Sequence, residues 1–403
     1  MTASLLSARV QAIKESPTLA VTARAARLKA EGRDIIGLGA GEPDFDTPAR
    51  IKDAAVAAMR LGQTKYTEVG GIAELRAAVV AKLKRDNGLH YEPADVVISC
   101  GAKHTLFNIM VALLNPGDQV LVPSPYWVSY PEQARLLEAD PVAVTTEEAT
   151  GFDLDPARLR DAVTPRTKII VVNSPNNPTG AVFSQAALEA VARLAVDRQL
   201  WVISDECYEA LTFEGRHISI AQLGPDIKAR TIVVNTCSKA YAMTGWRIGY
   251  AAGSRELIRA MTNVQSQVTS NPSSIAQWAA VEALTGPQDE VAKMAGEFDR
   301  RRRLIVEGLN ALPGVSCVTP KGAFYAFANV GKLFGKTTTI GGATRTLRGS
   351  ADVTEFLLEH ARVAVVPGVD FGSDAHVRLS YATSAELIRQ GLSRMEAALH
   401  RLG

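Results

Sequence analysis

The sequence predicts an α/β protein whose larger domain is a mostly parallel sheet covered by helices on both faces. One indication is a set of continuous apolar runs, such as 169–172 and 231–234, which are typical of buried strands. A second is the helical spacing of apolar residues between these runs, which gives a repeating strand–helix rhythm. A third is a change of period in the last quarter of the chain, which predicts a second, smaller α+β domain.

The individual elements follow from these periodicities in chain order. Residues 9–32 carry helical signals, and 34–38 form a short strand before a glycine-rich turn. Ser184 is placed to cap a helix that runs to about Arg198. Further strands are predicted at 96–98, 120–122, 169–172, 201–204, 231–234, 322–327 and 376–381, and further helices at 72–83, 106–113, 256–284, 289–312, 351–361 and 384–401. Residues 331–350 are rich in Gly and Thr and are predicted to be a loop.

Composition excludes several classes of protein. The 403 residues are 47% hydrophobic and 21% charged, with 44 basic residues against 42 acidic ones, so neither nucleic acid nor a membrane surface is an expected partner. No apolar run reaches about 18 residues, the length of a membrane-spanning helix. The four cysteines are widely spaced, which argues against a disulfide framework or a zinc site and fits a reducing cytoplasm. The four arginines at 300–303 are predicted to be a solvated helix face.

Polar and small residues follow several predicted strands directly. Gly101, Trp127, Asn177, Asp205 and Lys239 each fall just beyond the carboxyl end of a strand. Ligands of open α/β sheets bind in the crevice outside these ends, so we expect the five residues to surround one site. The turn at Gly101 opens a helix, and the N–H groups and positive dipole end of a helix N-terminus suit a phosphate.

Two nucleotide-binding patterns fail in this chain. The turn at Gly101 lacks the G-K-[ST] of a P-loop, so a nucleoside triphosphate is not expected. The run Gly-Leu-Gly-Ala-Gly at 37–41 suggests a dinucleotide turn, but Glu42 occupies the third glycine position and Pro43 prevents a helix from starting there. An oxidoreductase is therefore disfavoured.

The stretch 235–250 is the most informative part of the chain. Lys239 leaves a buried strand among small and apolar residues, where a charged amine is costly unless it is paired or neutral. A covalent imine would meet that cost and give the lysine a chemical role. The segment 238–250, Ser-Lys-Ala-Tyr-Ala-Met-Thr-Gly-Trp-Arg-Ile-Gly-Tyr, closely resembles the cofactor-lysine segment of pyridoxal-phosphate-dependent aminotransferases of the aspartate aminotransferase fold type.

The resemblance extends from about residue 10 to 383 and implies an architecture. It implies a seven-stranded sheet in a large cofactor-binding domain at 47–288. It also implies a small domain built from both termini, with 1–46 as the N-terminal segment and 289–403 as the C-terminal part. The helix 289–312 would join the two domains. The protein would be a cytoplasmic homodimer whose active sites are shared between subunits.

The resemblance also implies which residues hold pyridoxal 5′-phosphate. Lys239 would form the imine and move the substrate proton, and Asp205 would keep the ring nitrogen protonated. Trp127 would stack on the ring, while Tyr208 and Asn177 would bond its O3′ oxygen. The phosphate would be held by Gly101, Ala102, Ser238 and Arg247, joined by Tyr66 of the neighbouring subunit, with Lys103 as a further candidate. Thr236 departs from the glycine or serine common at its position in the family.

The same resemblance implies how the substrate is bound. Arg378 would grip the α-carboxylate as a planar fork, with Asn177, Gly41 and Trp127 alongside. A dicarboxylic substrate needs a second cation for its distal carboxylate. One branch of the family supplies an arginine from the other subunit, at a position where this chain has Ser266.

A second, bacterial branch of the family uses a lysine in the phosphate turn for the distal carboxylate. In this chain that residue is Lys103, and Lys14 and Thr18 match the N-terminal segment of the branch, some members of which also accept prephenate. The sequence therefore predicts a ping-pong transamination of L-aspartate with 2-oxoglutarate, giving oxaloacetate and L-glutamate.

Three alternatives stay open or are disfavoured at this level. Prephenate or aromatic transamination is the nearest alternative within the enzyme class. A pyridoxal-dependent lyase would release ammonia or a thiol without a keto-acid acceptor. The effector domain of a transcriptional regulator would need a DNA-binding domain ahead of residue 10, and we expect none. No metal site is predicted.

Overall fold

The structure is a computed structural model, and it describes residues 6–13, 17–340 and 342–402. The strands are, in chain order, β1 (Ile36–Gly37), β2 (Val96–Ser99), β3 (Gln119–Ser124), β4 (Asp140–Thr145), β5 (Thr167–Asn173), β6 (Trp201–Asp205), β7 (Thr231–Thr236), β8 (Gly249–Ala252), β9 (Ser316–Cys317), β10 (Tyr325–Asn329), β11 (Thr337–Ile340), β12 (Ala343–Thr346), β13 (Val363–Ala364), β14 (Val366–Pro367) and β15 (His376–Ser380).

The helices surround these strands. They are α1 (Ala8–Gln11), α2 (Pro17–Ala30), α3 (Ala49–Arg60), α4 (Ala73–Asn87), α5 (Ala102–Leu113), α6 (Ser129–Leu136), α7 (Pro156–Ala162), α8 (Gln185–Asp197), α9 (Pro225–Lys228), α10 (Cys237–Ala240), α11 (Arg255–Val268), α12 (Ser274–Thr285), α13 (Asp289–Ala311), α14 (Ser350–Phe356) and α15 (Ala385–Leu399). Across the described ranges, none of them combines the length and hydropathy that crossing a bilayer requires.

The central feature is a seven-stranded, mostly parallel sheet in the order β2-β8-β7-β6-β5-β3-β4. Only β8 runs antiparallel to its neighbours, so β2 points the same way as β7. This confirms the predicted class of sheet, and five of its strands were predicted from apolar runs. The sequence reading missed β8, which is short and rich in small residues, and β4, an edge strand with mostly exposed side chains.

A second layer is built from both ends of the described chain. A four-stranded antiparallel sheet has the order β14-β15-β10-β9, and β1 near the N-terminus pairs in parallel with β13. Helices α13 and α15 pack against each other beside this sheet. Ser184 caps α8 by accepting a hydrogen bond from the backbone N–H of Ala187 at 3.2 Å, as its position predicts.

The prediction of loop over 331–350 was wrong. Within this range β11 and β12 form an antiparallel hairpin in which Thr337 pairs with Thr346. The threonines that were taken as a loop signal are β-branched residues, which favour a pleated strand once a partner strand is present.

The prediction that the four arginines at 300–303 form a solvated helix face was also wrong for two of them. Arg301 and Arg302 are each only 6% exposed. Arg301 donates to Asp44 at 2.7 Å, in the loop that follows Gly41, and Arg302 donates to Glu214 at 2.5 Å. Both pairs link α13 to other parts of the chain, and buried guanidinium groups need such acidic partners.

Candidate active site

The carboxyl ends of β2, β3, β5, β6 and β7 open into one cavity of about 410 Å³. The sequence predicted that residues from these ends would converge, and eleven of its candidates line the cavity: Gly41, Ala102, Lys103, Trp127, Asn177, Asp205, Tyr208, Ser238, Lys239, Arg247 and Arg378. The four-stranded sheet supplies Arg378, so both layers of the fold contribute to the site.

Lys239 lies in the single turn of α10, directly after β7. Its Nζ donates to the carbonyl oxygen of Gly41 at 2.6 Å, and part of the side chain is open to the cavity. The surrounding protein removes water from the amine, and this burial lowers the pKa of Lys239 to about 8. A large fraction of this lysine is therefore neutral, and so nucleophilic, at mildly alkaline pH.

Asp205 ends β6 and is only 4% exposed. Tyr130 donates its hydroxyl proton to Oδ2 at 2.6 Å, and the backbone N–H of Cys207 donates to Oδ1 at 3.2 Å. Burial raises the pKa of Asp205, although the bonds from Cys207 and Tyr130 oppose this by stabilising the carboxylate. Its hydrogen-bond donors here are neutral, so a protonated ring nitrogen would be a favourable cationic partner.

Aromatic side chains line the space between Lys239 and Asp205. Trp127 packs edge-on against Tyr130 with ring centroids 5.4 Å apart. The hydroxyls of Tyr208 and Tyr325 lie 2.8 Å apart. These rings provide apolar surface with hydroxyl groups beside it, which suits an aromatic heterocycle that carries an oxygen substituent.

The predicted phosphate cradle is formed where β2 meets the N-terminus of α5. Gly101 has a positive φ of 88°, and a Cβ atom at this position would lie 2.3 Å from Nη2 of Arg247. Only glycine therefore lets the guanidinium approach the helix start this closely. Arg247 donates to the carbonyl oxygen of Thr244 at 2.8 Å.

Thr236 supports the opposite side of this cradle. Its Oγ1 accepts a hydrogen bond from the backbone N–H of Ser238 at 3.1 Å and lies 2.9 Å from the hydroxyl oxygen of Ser238. The threonine thus caps the turn that carries Lys239 and orients Ser238, which explains why a larger hydroxyl residue is accommodated at this position.

Arg378 projects into the cavity from the middle strand β15 and is 1% exposed. It donates to Oδ1 of Asn177 at 2.9 Å and to the carbonyl oxygen of Gly39 at 2.8 Å. Its Nε is buried without a hydrogen-bond partner among the described residues. Burial lowers the pKa of Arg378 from its usual value. A buried guanidinium without a carboxylate partner, which has an unused N–H, is suited to binding a ligand carboxylate.

Of the remaining predicted residues, Lys103 lies at the mouth of the cavity. Lys103 is exposed, and its Nζ lies 5.0 Å from the centre of the Trp127 ring. Partial burial lowers the pKa of Lys103, and the positive charge of Arg247 adds to this. In the described part of the chain, the predicted residues Gly101, Tyr66 and Ser266 are not among those that line the cavity, and Tyr66 is 90% exposed.

Two predicted residues of the N-terminal segment cannot be placed at the site. Lys14 lies outside the described residues. Thr18 belongs to α2, and its side chain also lies outside what the structure describes.

An acidic cluster behind the site has the residue types of a metal centre. Glu206, Glu209 and His217 place ligand atoms within 4.8 Å of one another. Lys82 donates to Glu209, and His217 pairs with Glu206 at 3.1 Å. Burial lowers the pKa of His217, but Glu206 more than offsets this and raises it. Lys82 and His217 thus pair with the two carboxylates of this cluster, which follows Asp205 directly in the chain.

The sequence reading missed several residues of the cavity. Tyr130 and Tyr325 line it and contact predicted residues, and Cys207 and Glu42 also line it. A signal existed for Cys207, which lies between Asp205 and Tyr208. Tyr130 and Tyr325 had none, because both look like ordinary core aromatics until the fold brings them to the site.

Comparison with known proteins identifies the protein family. A family model described as aminotransferase class I and II matches residues 33–395. An aspartate aminotransferase of Geobacillus stearothermophilus is 47% identical over 394 residues, which cover 97% of this chain and 98% of the relative. An aspartate/prephenate aminotransferase of Thermus thermophilus is 50% identical over 399 residues, which cover 98% and 99%.

Solved structures agree with this. The aspartate aminotransferase of Rhizobium meliloti superposes with a TM-score of 0.95 at 46% identity, covering 99% of this chain and 100% of that one. The chain therefore belongs to the class I and II aminotransferases. It is an enzyme that acts on amino acid and 2-oxo acid substrates, in a family that generally depends on pyridoxal phosphate.

Proposed function

We propose that this chain transfers the amino group of L-aspartate to 2-oxoglutarate, giving oxaloacetate and L-glutamate, with pyridoxal 5′-phosphate as its cofactor. One observation carries the proposal. A single cavity joins Lys239, whose pKa is lowered to about 8, with the buried carboxylate of Asp205 and the buried guanidinium of Arg378. The relatives named aspartate aminotransferase support the choice of substrate.

The residues of the cavity fit this cofactor. Arg247, Ser238 and the N-terminus of α5 would hold the phosphate, because a glycine at 101 leaves space for the guanidinium beside the helix start. Asp205 would bind the ring nitrogen, and Trp127 would cover one face of the ring. When bound, pyridoxal phosphate supplies an electron sink that makes the α-proton of an amino acid acidic.

The residues of the chain perform the other tasks of the reaction. Arg378 and Asn177 bind the α-carboxylate and thereby orient the Cα–H bond of the substrate. Lys239 would hold the cofactor, and its free amine would accept the α-proton and return a proton, because burial lowers its pKa to about 8 and leaves about half of the amine neutral at that pH. Tyr208 would donate a hydrogen bond to the ring oxygen of the cofactor. The apolar walls around Trp127 exclude water from the reacting atoms.

The second substrate handle is Lys103. Its ammonium lies at the mouth of the cavity, on the side of Trp127, where it is available to a carboxylate at the far end of the substrate. Ser266, by contrast, is neutral and donates to the carbonyl oxygen of Asn263 at 2.7 Å. The charge on Lys103 therefore favours aspartate over donors that lack a distal carboxylate.

We also propose a cytoplasmic homodimer with shared sites. Leu61, Tyr66 and Val268 remain 77%, 90% and 57% exposed, which is unusual for large apolar side chains and suits a surface covered by a second copy. Tyr66 would then reach the phosphate of the neighbouring subunit. The free cysteines fit a reducing compartment. We propose a large domain at 47–288 and a small domain formed by 1–46 and 289–403, with α13 connecting the two domains.

The test combines labelling with activity. Purified protein incubated with pyridoxal phosphate is reduced with borohydride and digested, and the modified peptide is identified by mass spectrometry. The label is expected on Lys239, and the buried Lys82 serves as an internal control that stays unlabelled. A panel of amino donors is then assayed with 2-oxoglutarate, with aspartate expected to have the highest kcat/KM. Labelling elsewhere, or a preference for an uncharged donor, would contradict the proposal.

A further inference from the structure

Tyr325 is a residue of the cavity that no step above uses. It begins β10 and pairs with Ser380 of β15, and the pair of Phe327 with Arg378 lies two register positions further along on the same face. Residues that lie opposite each other across antiparallel strands share a face, so Tyr325 and Arg378 point into the same space. Tyr325 is 1% exposed and lines the cavity.

The phenol of Tyr325 contacts three functional parts of the site. Its hydroxyl lies 2.8 Å from the hydroxyl of Tyr208. The guanidinium carbon of Arg378 lies 4.5 Å from the centre of its ring, and Phe371 flanks the same guanidinium at 4.9 Å. A Cβ atom on Gly41 would lie 2.9 Å from the Tyr325 hydroxyl, so this loop approaches the phenol closely. One side chain therefore touches the groups proposed to bind cofactor and substrate.

The direction of the bond between the two phenols follows from counting protons. Each hydroxyl has a single proton to donate and can also accept. If Tyr208 donates to the ring oxygen of the cofactor, it has no proton left for Tyr325. The hydrogen bond between the phenols must then run from Tyr325 to Tyr208. Donation into the Tyr208 oxygen polarises its own O–H, and chains of hydrogen bonds strengthen one another in this way.

We propose that Tyr325 is a positioning residue that donates to Tyr208 while its ring holds the Arg378 guanidinium against Phe371. This rests on the proposed function, in which Tyr208 binds the ring oxygen and Arg378 the α-carboxylate. The same side chain thereby keeps the cofactor donor and the carboxylate clamp in one fixed arrangement.

The hydroxyl is tested with Tyr325→Phe in the cofactor-loaded enzyme, by following its visible absorbance against pH. A strong bond to the ring oxygen favours the form of the lysine–cofactor linkage that has lost its proton, because more negative charge then rests on that oxygen. Losing the Tyr325 proton donor is expected to raise the absorbance midpoint by about 0.3 to 1 pH unit. Tyr381→Phe is the matched control, since it removes another buried hydroxyl, bonded to Ala323, and should leave the midpoint unchanged.

A double-mutant cycle decides whether the effect passes through Tyr208. In a Tyr208→Phe background, Tyr325→Phe should cause no further shift, because its acceptor is gone. The inference would be overturned if Tyr325→Phe shifted the midpoint equally in the wild-type and Tyr208→Phe backgrounds. It would also be overturned if Tyr208→Phe shifted the midpoint while Tyr325→Phe in the wild-type background did not. Wild-type enzyme that does not bind pyridoxal phosphate at all would instead refute the proposed function.

The ring is tested by comparing two substitutions. Tyr325→Phe keeps the ring beside Arg378 and should leave the KM for aspartate within about twofold of wild type, since the cation–π contact is retained. Tyr325→Leu removes the ring and its cation–π contact with Arg378, and it should raise the KM for aspartate by about 3- to 30-fold. Equal KM values for the phenylalanine and leucine enzymes would overturn the stacking role. The phenylalanine enzyme keeps the buried volume, so the hydroxyl test does not depend on how well the leucine enzyme folds.

Discussion

The inner end of the cavity and its mouth are built in different ways. At the inner end, Asp205 and Arg378 are 4% and 1% exposed, and they contact Tyr130 of α6 and Asn177 of the same chain. At the mouth, Lys103 is exposed, and Tyr66, which is also exposed, does not line the cavity of its own described chain. The catalytic groups are therefore held by a preorganised, buried framework, whereas substrate choice depends on the exposed cation Lys103 and on what covers the mouth.

Loss of the Lys239 amine at the inner end should have the largest effect on activity. Lys239→Ala is expected to lower kcat for aspartate by at least about ten-thousand-fold, the order found when a covalent catalyst loses its reactive group. Stopped activity assays with saturating cofactor measure this loss. Lys168→Ala, which removes an exposed lysine on β5, is the control and should be unaffected. Substantial residual turnover in the Lys239 variant would mean that another base moves the proton.

Lys103 at the mouth should determine which donor is preferred and should not be required for the reaction itself. Losing one partner of a desolvated charge pair costs about 2–5 kcal/mol, so Lys103→Ala is expected to lower kcat/KM for aspartate by about 30- to 4,000-fold. Alanine as donor has no distal carboxylate and should lose much less. An equal loss on both donors would assign Lys103 to the cofactor phosphate instead, and would weaken the contrast between inner end and mouth.

The burial of Lys239 has a consequence for stability against pH. Its folded pKa of about 8 lies below the usual 10.5, so between these values the unfolded chain binds more protons and stability rises with pH. Below pH 8 the folded cofactor-free protein bears the full cost of the buried charge. Lys239→Met should therefore be more stable than wild type by about 1–3 kcal/mol at pH 7.

Chemical denaturation of both cofactor-free proteins from pH 7 to pH 10.5 measures this difference. It should shrink as the pH rises, because the wild-type lysine becomes neutral in the unfolded chain as well. A constant difference across this range would show that the methionine stabilises by packing alone.

The activity restored when two inactive variants share an active site across subunits is the smallest expected effect. Lys239→Ala and Tyr66→Ala chains are mixed, unfolded and refolded together. If Tyr66 serves the neighbouring site, half of the random dimers are mixed and each has one intact site, so roughly a quarter of wild-type sites should return. Refolding each variant alone is the control. No gain over the separate variants would show that Tyr66 acts elsewhere or only within its own chain.

Much of the inner end could be predicted because its information is local. Asp205, Asn177, Trp127 and Lys239 each follow an apolar run, and the carboxyl ends of parallel strands must meet at one edge of the sheet. The hairpin at Thr337–Thr346 was missed for the converse reason, since its strands become favourable only through pairing with each other. Similarly, the acidic partners that bury Arg301 and Arg302 come partly from distant segments.

The sequence by itself determined the class of fold, the family and the chemical inventory of the site, because strand periodicity and short motifs are encoded in neighbouring residues. Only the tertiary structure decided which groups meet. Arg378 reaches Asn177 across 201 residues of chain, Tyr130 reaches Asp205 across 75, and Tyr325 reaches Tyr208 across 117. It also decided the protonation of Lys239, because a pKa depends on how completely packing excludes water from the amine.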